Sequence, residues 1–230
     1  MKILVLDVGG SHVKMQVTGN RQRLKFPSGP GMTPARMVAA VKKLAGGWDY
    51  EAVSMGYPGP VVDSRILREP HNLPPGWVRF NFKKAFGCPV KIINDAAMQA
   101  LGSYRGKRMV FLGLGTGLGS AMVVAGRLIP LELAHLPYRK GRTYEEYLGL
   151  AGFERLGKKK WSAHVHEVVR LFQAAFVVDY MVLGGGNARF LEKLPPGCEL
   201  GHNSNAMRGG FRLWAEPQHL SGKAGAKFAL

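Results

Sequence analysis

The amino-acid sequence predicts an α/β protein built as two lobes around a central cleft. Three observations predict it. The 31 glycines among 230 residues gather at Gly9-Gly10, Gly113 to Gly119 and Gly184 to Gly186. Each group directly follows an apolar run, which marks strand-end loops rather than a flexible linker. The pattern of strand, glycine turn and returning strand that opens the chain starts again at Met109. Each half then continues into alternating strands and helices, and paired α/β lobes of this kind hold ligands between them at strand ends. The repeat divides the chain into an N-terminal lobe, residues 1–105, and a C-terminal lobe, residues 106–230.

The elements follow in order. Lys2 to Val8 reads as a buried strand, and Lys14 to Thr18 alternates as its hairpin partner across the Gly9-Gly10-Ser11 turn. Arg23 to Phe26 is a third strand. Thr33 caps a helix that carries Pro34 in its first turn and reaches Ala45, with Met37, Val38, Val41 and Leu44 on one face. Ala52 to Gly56 is a strand ending in the rigid Tyr57-Pro58-Gly59-Pro60. Asp63 to Gly76 is loop, Arg79 to Phe86 helical, Pro89 to Ile93 a strand that stops at Asn94-Asp95, and Ala96 to Tyr104 a helix. In the second half, Met109 to Leu114, Ser120 to Val124 and Leu128-Ile129 read as strands. Tyr144 to Leu148, Phe153 to Leu156 and Ser162 to Ala174 read as helices. Phe176 to Leu183 is a strand after which Gly184-Gly185-Gly186-Asn187 opens a helix. A last helix runs from Asn203 to Trp214, and the small, basic tail from Gln218 is expected to fray.

Composition excludes several classes. No apolar run is long enough to cross a bilayer, and the start lacks the apolar core and cleavage site of a signal peptide. Cys88 and Cys198 are the only cysteines, which gives neither a disulfide framework nor a zinc cluster, so a reduced, cytoplasmic protein is expected. The formal charge of +17 is the exceptional number. It peaks at Arg139-Lys140-Gly141-Arg142 and Lys158-Lys159-Lys160. Such charge either draws a polyanion or covers a solvated surface. No zinc finger, aromatic RNA-binding signature or helix-turn-helix pattern is present, so nucleic acid is not expected; a phosphate chain used as substrate is the other polyanion.

Six motifs carry a resemblance. Asp7-Val8-Gly9-Gly10-Ser11-His12-Val13-Lys14 resembles the first phosphate loop of the ROK family (repressors, open reading frames, kinases), and Gly115-Thr116-Gly117-Leu118-Gly119 its second. Asn94-Asp95-Ala96 resembles its catalytic motif, and Glu132-Leu133-Ala134-His135 its sugar motif. Tyr144-Glu145-Glu146-Tyr147 resembles a further sugar segment, and Leu183-Gly184-Gly185-Gly186 the late nucleotide loop. They occur in the family's order over nearly the whole chain. Within the family, Phe111 to Ala121 and Arg127 to His135 are most similar to polyphosphate glucokinases. The resemblance implies an actin-like ATPase (ribonuclease H-like) fold, a hexose substrate, a polyphosphate or ATP donor, Mg²⁺ and a homodimer. Two departures stand out. Leu136 to Arg142 has no cysteine where many members carry a zinc motif, so zinc is not expected. Ala134 also replaces a glycine, which would cost about 1 kcal/mol if the position needed positive φ.

The resemblance assigns roles that the residue chemistry permits. Asp95, just past a strand, is either the base that takes a proton from a sugar hydroxyl or an N-cap. Asn94, Glu132, His135 and Glu145 suit sugar hydroxyls, with Glu146 an alternative to Glu145. Asn72 and Gly59 lie in loops assigned to the sugar, and Asn72 equally suits a plain turn. Gly9, Gly10, Ser11, Gly115, Thr116 and Gly117 offer backbone N–H groups to phosphate, or merely tight hairpins. Lys14 reaches a phosphate or solvent. Gly185 and Gly186 would put phosphate at a helix N-terminus. Asp7 would hold Mg²⁺ through water. Three readings follow: a glucokinase using polyphosphate and possibly ATP, a strictly ATP-dependent hexokinase, and a non-catalytic regulator or polyanion-binding protein. Asp95 and the lack of a helix-turn-helix disfavour the last.

Overall fold

Two five-stranded sheets carry the computed structural model, which describes residues 1–202 and 204–216. The first half runs β1 (Ile3–Val8), β2 (His12–Val17), β3 (Leu24–Pro27), α1 (Pro34–Leu44), β4 (Ala52–Tyr57), β5 (Val61–Val62), β6 (Arg65–Ile66), α2 (Phe82–Phe86), β7 (Val90–Asn94) and α3 (Asp95–Ser103). The second runs β8 (Arg108–Leu114), β9 (Leu118–Val124), β10 (Arg127–Leu131), β11 (Pro137–Arg139), β12 (Arg142–Thr143), α4 (Tyr144–Leu148), α5 (Leu150–Phe176), β13 (Tyr180–Gly184), β14 (Cys198–Leu200) and α6 (Asn205–Arg212). The sheet orders are β3-β2-β1-β4-β7 and β10-β9-β8-β13-β14. In both, an antiparallel meander of three strands is extended by two parallel strands. The two sheets therefore correspond strand for strand, with the expected strand–turn–strand opening in each.

The equivalent helices α3 and α6 join the halves. Ala96, Ala97, Ala100 and Leu101 of α3 pack with Met109, Phe111, Ala121 and Val123 of the second sheet. Ala206 and Met207 of α6 pack with Ile3 and Val5 of the first sheet and with Met98 of α3. The two helices cross through glycine. A Cβ on Gly102 would strike the Asn205 carbonyl, and one on Gly209 the Met98 carbonyl. Polar bonds lock the crossing. Ser54 Oγ donates to the Gly210 carbonyl (2.6 Å), and Arg212 Nη1 donates to the Leu101 and Tyr104 carbonyls (2.8 and 2.7 Å). The last helix thus returns to the first sheet, although its strands belong to the second half.

Several expectations are corrected. Leu44 is 42% exposed, so α1 buries only Met37, Val38 and Val41 of its apolar face together with Pro34. Helix α2 begins at Phe82, because Asn81 caps it by accepting from the Lys84 N–H. The helices expected at 153–156 and 162–174 are one long element, α5, interrupted at Gly157 (φ 73°, ψ 159°). Apolar residues from Phe176 belong to the end of α5 and a left-handed Val177, and β13 starts only at Tyr180. The hairpins β5–β6 and β11–β12 and the strand β14 were not expected. Each spans only two or three residues, too few to show an alternating pattern. The last helix is shorter than 203–214, and Asn203 and the tail from Gln218 lie outside the described residues. Among the described residues, no helix is long and apolar enough to cross a membrane.

Candidate active site

The cleft is built from strand ends. Asp7 closes β1, with its carboxylate 12% exposed and Oδ2 3.1 Å from Lys14 Nζ, its register partner on β2. The Gly9-Gly10-Ser11 turn is held from outside by Ser28, whose Oγ donates to the Gly9 carbonyl (2.5 Å) and whose N–H donates to the Ser11 carbonyl (2.9 Å). Gly10 must be small, since its Cβ would lie 3.0 Å from that of Asn72.

At the end of β7 the sequence alternatives separate. Asn94, not Asp95, is the N-cap of α3: its Oδ1 accepts from the Ala96 and Ala97 N–H groups (2.9 and 3.2 Å), and its Nδ2 donates to the Gly59 carbonyl (3.1 Å). Asp95 stands in the first turn with Oδ1 accepting from the Ala96 N–H (2.8 Å). Burial, then the nearby charge of Asp7 and more weakly that of Glu132, push its carboxyl up to about 7, outweighing the N–H groups that favour its charged form. A carboxyl poised near neutrality can take and return a proton at physiological pH.

The second half faces it. Thr116 lines a cavity of about 640 Å³ with Gly10, Ser11, Pro30 and His71 to Pro74 of the first half, so the two glycine turns share one opening. The turn at Gly115 is held by Asn187, which sequence reading mentioned only as the end of a glycine run. Asn187 is buried, its N–H donates to the Leu114 carbonyl (2.9 Å), and its Nδ2 donates to the Gly115 carbonyl (3.1 Å). Glu145 reaches the same turn, accepting from the Leu118 N–H at 3.0 Å, whereas Glu146 is used in a capping box with Thr143. That separates the two glutamates: Glu145 faces the glycine turn and Glu146 faces solvent.

Glu132 and His135 are exposed at either end of a one-turn 3₁₀ helix, Leu133–His135. Ser120 holds this segment at its base, donating to the Leu131 carbonyl (2.9 Å) and accepting from the Leu133 N–H (3.2 Å). Ala134 is buried and is not among the described residues with positive φ, so the strain expected from losing glycine does not arise. The hairpin β11–β12 between His135 and Glu145 is pinned to α5 by Tyr138 Oη against His164 Nδ1 (3.0 Å) and by the Arg139–Glu167 ion pair. Ser28, Ser120 and Asn187 left no signal in the sequence, because a serine or asparagine that props a loop from elsewhere in the chain carries no local pattern.

The late glycines are corrected in part. Gly184 to Asn187 open a single 3₁₀ turn, Ala188–Phe190, and the argument for an anion at a helix N-terminus lapses. Gly185 (φ +80°) packs on the Leu114 backbone, and Gly186 borders open space. The donors suit magnesium, which keeps most of its waters and takes one or two carboxylates plus substrate phosphates. Asp7 Oδ1 has no hydrogen bond among the described residues.

Known proteins resemble this chain in sequence and in fold. The ROK family model matches residues 3–130. A polyphosphate glucokinase of Mycobacterium tuberculosis is 30% identical, over 83% of this chain and 80% of its own. Among solved structures, the inorganic polyphosphate/ATP-glucomannokinase from Arthrobacter sp. strain KM aligns with a TM-score of 0.75 at 21% identity, covering 91% of this chain and 96% of that one. A ROK protein from Streptococcus pneumoniae in complex with sucrose aligns with a TM-score of 0.74 at 17% identity, covering 93% and 98%. The fold is that of the actin-like ATPases, and the chain belongs to the ROK family, among its sugar kinases.

Proposed function

We propose that the protein transfers a phosphoryl group to the 6-hydroxyl of glucose or a related hexose, with inorganic polyphosphate as donor and ATP as a second donor. The observation that carries this reading is the placement of Asp95, a carboxyl in the first turn of α3 at the end of β7 whose capping role is taken by Asn94, and which burial and then the Asp7 charge raise. In the reaction, Asp95 takes the hydroxyl proton as that oxygen attacks the terminal phosphorus of the donor. The bond to the leaving phosphate oxygen breaks, the donor departs one phosphate shorter, and Asp95 gives its proton to water. Asn94, Glu132, His135 and Glu145 hold the sugar, with Gly59 at its edge. The Gly9-Gly10-Ser11 and Gly115-Thr116-Gly117 turns and Lys14 hold the donor, and Gly186, which borders open space, leaves room for it. Asp7 would carry Mg²⁺ through water, and the ion supplies charge neutralisation of the phosphates when bound.

Residues 1–105 and 106–230 act as the two lobes, with α6 crossing back between them, and a homodimer is the expected assembly, testable by light scattering. Polyphosphate is favoured as donor by the 30% identical relative and by the formal charge of +17. A long polyanion held by many cations gives activity that falls steeply with salt, whereas ATP at a local site is less affected. The test is a paired assay with polyphosphate and ATP against glucose, mannose and fructose, at low and physiological salt. Activity with ATP alone overturns the donor assignment. Full turnover by Asp95→Asn overturns the catalytic one.

A further inference from the structure

One wall of the cavity between the glycine turns is the loop of His71 and Asn72, which the resemblance alone would set beside the sugar. Ser11, Thr116, Asn72 and His71 all line it, and none of their side chains has a hydrogen-bond partner among the described residues. The lining contains no carboxylate. Four unpartnered polar groups around an opening without negative charge suit an anionic ligand, and three of them, the two hydroxyls and the amide, can donate whatever the pH.

The loop that presents His71 and Asn72 is rigid. Glu69 accepts from the N–H groups of Gly76 (3.0 Å), Trp77 (2.9 Å) and Val78 (3.4 Å), closing the loop on itself. Tyr57 Oη donates to the Arg68 carbonyl (2.9 Å), and Leu73 and Trp77 are buried in the core of the first half. Asn72 packs directly over Gly10 of the first glycine turn. A loop fixed at both ends, with exposed polar side chains between them, is prepared to contact a ligand at little entropic cost.

We propose that His71 and Asn72 form the second wall of the donor site and bind the phosphate chain, opposite the backbone of the glycine turns. This rests on the phosphotransferase reading above and deepens it: Asn72, expected beside the sugar, is assigned to the donor, and His71 is a binding residue that no motif suggested. The phosphate chain is common to ATP and polyphosphate, so both donors feel this wall.

The test varies donor at saturating sugar, and sugar at saturating donor, for His71→Ala, Asn72→Ala and the unaltered protein, with ATP and with inorganic tripolyphosphate in separate arms. Losing one hydrogen bond to a charged phosphate raises the donor KM about tenfold. We expect that rise in each variant, with sugar KM unchanged and kcat within about twofold. His71→Lys, which keeps a donor, recovers most of the loss. A direct readout uses no turnover: tripolyphosphate raises the thermal midpoint of the unaltered protein, and raises that of His71→Ala by less. A rise in sugar KM with donor KM unchanged puts the loop on the sugar side and overturns the proposal. So does an unchanged donor KM, or equal thermal shifts. A loss of activity in Asp95→Asn alongside an unaffected His71→Ala would sink this inference and leave the kinase reading standing. An effect of tripolyphosphate but not ATP limits the wall to the inorganic donor and refutes the shared site.

Discussion

Replacing Asp95 by asparagine separates what the carboxyl does for chemistry from what it costs the fold. The group is held at about 7 against 3.8 when free, chiefly by burial and by the Asp7 charge. The sign follows from linkage. Between those two values the folded protein keeps a proton that the unfolded chain has lost, so stability falls as pH rises through this window and the full penalty stands above 7. The difference corresponds to about 4 kcal/mol. Cleft water screens part of it, and the charged form gains something from the helix N-terminus, so about 2 kcal/mol remains to be recovered. Asparagine keeps an oxygen for the Ala96 N–H and carries no charge. We therefore expect Asp95→Asn to unfold at higher urea at pH 8, by about 2 kcal/mol, and to differ little at pH 4. The same change removes a general base, worth about 10²- to 10⁴-fold in rate. The unaltered enzyme should lose kcat/KM below a midpoint near 7. The paired experiment is urea unfolding at pH 4 and 8 with a coupled sugar-phosphate assay. A variant less stable than the parent at pH 8, or one keeping a tenth of its turnover, refutes the reasoning.

Other outcomes follow from the same geometry. Gly209→Ala places a Cβ against the Met98 carbonyl and should cost about 1–3 kcal/mol in urea unfolding, whereas Gly47→Ala, with open space around it, should cost almost nothing. Glu145→Ala frees the Leu118 N–H and should raise KM about tenfold, while Glu145→Gln keeps an acceptor for that N–H and should retain the order of the turn, read as a smaller change in thermal midpoint. Burial pushes the Cys198 thiol up to about 12 and also raises that of Cys88, so Ellman's reagent at pH 8 should label the native protein far more slowly than the urea-unfolded one. Immediate labelling of both thiols would contradict that burial.

What was legible in the sequence was local. The strand–turn–strand openings at Asp7 and Leu114 could be seen because apolar runs and glycines sit side by side in the chain. Asp95 was visible as a strand-end carboxylate, but its neighbour's role was not: only the bonds from Ala96, Ala97 and to Gly59 reveal that Asn94 takes the cap and leaves Asp95 free. The serines that hold the turns act across 11 to 19 residues, and Asn187 acts across 72, distances at which no spacing rule operates. The return of α6 to the first sheet was hidden for a related reason. A glycine inside a helix is a weak point on propensity alone, and only the mutual approach of Gly102 and Gly209 gives these two a purpose.

The repeat also shows which carboxylates at strand ends have no counterpart in the second half. The sheet orders make β1 equivalent to β8 and α3 equivalent to α6. Asp7 faces Lys14 across the first hairpin, and one pair back from the second turn the corresponding residues are Gly113 and Gly119. Asp95 opens α3, and Asn205 opens α6. The second half thus repeats the backbone without the counterparts of these two carboxylates. A further carboxylate beside Asp7 and Glu132 would push Asp95 higher still, since burial, the Asp7 charge and more weakly the Glu132 charge already hold it at about 7. A base much above neutrality would stay protonated and idle. At the equivalent strand end the second half instead offers backbone N–H groups and Thr116, which can approach phosphate without repelling it. Placing Asp at position 113 tests this asymmetry: Gly113→Asp should move the acid limb of the pH profile upward, and an unmoved limb would show that the halves are electrically independent.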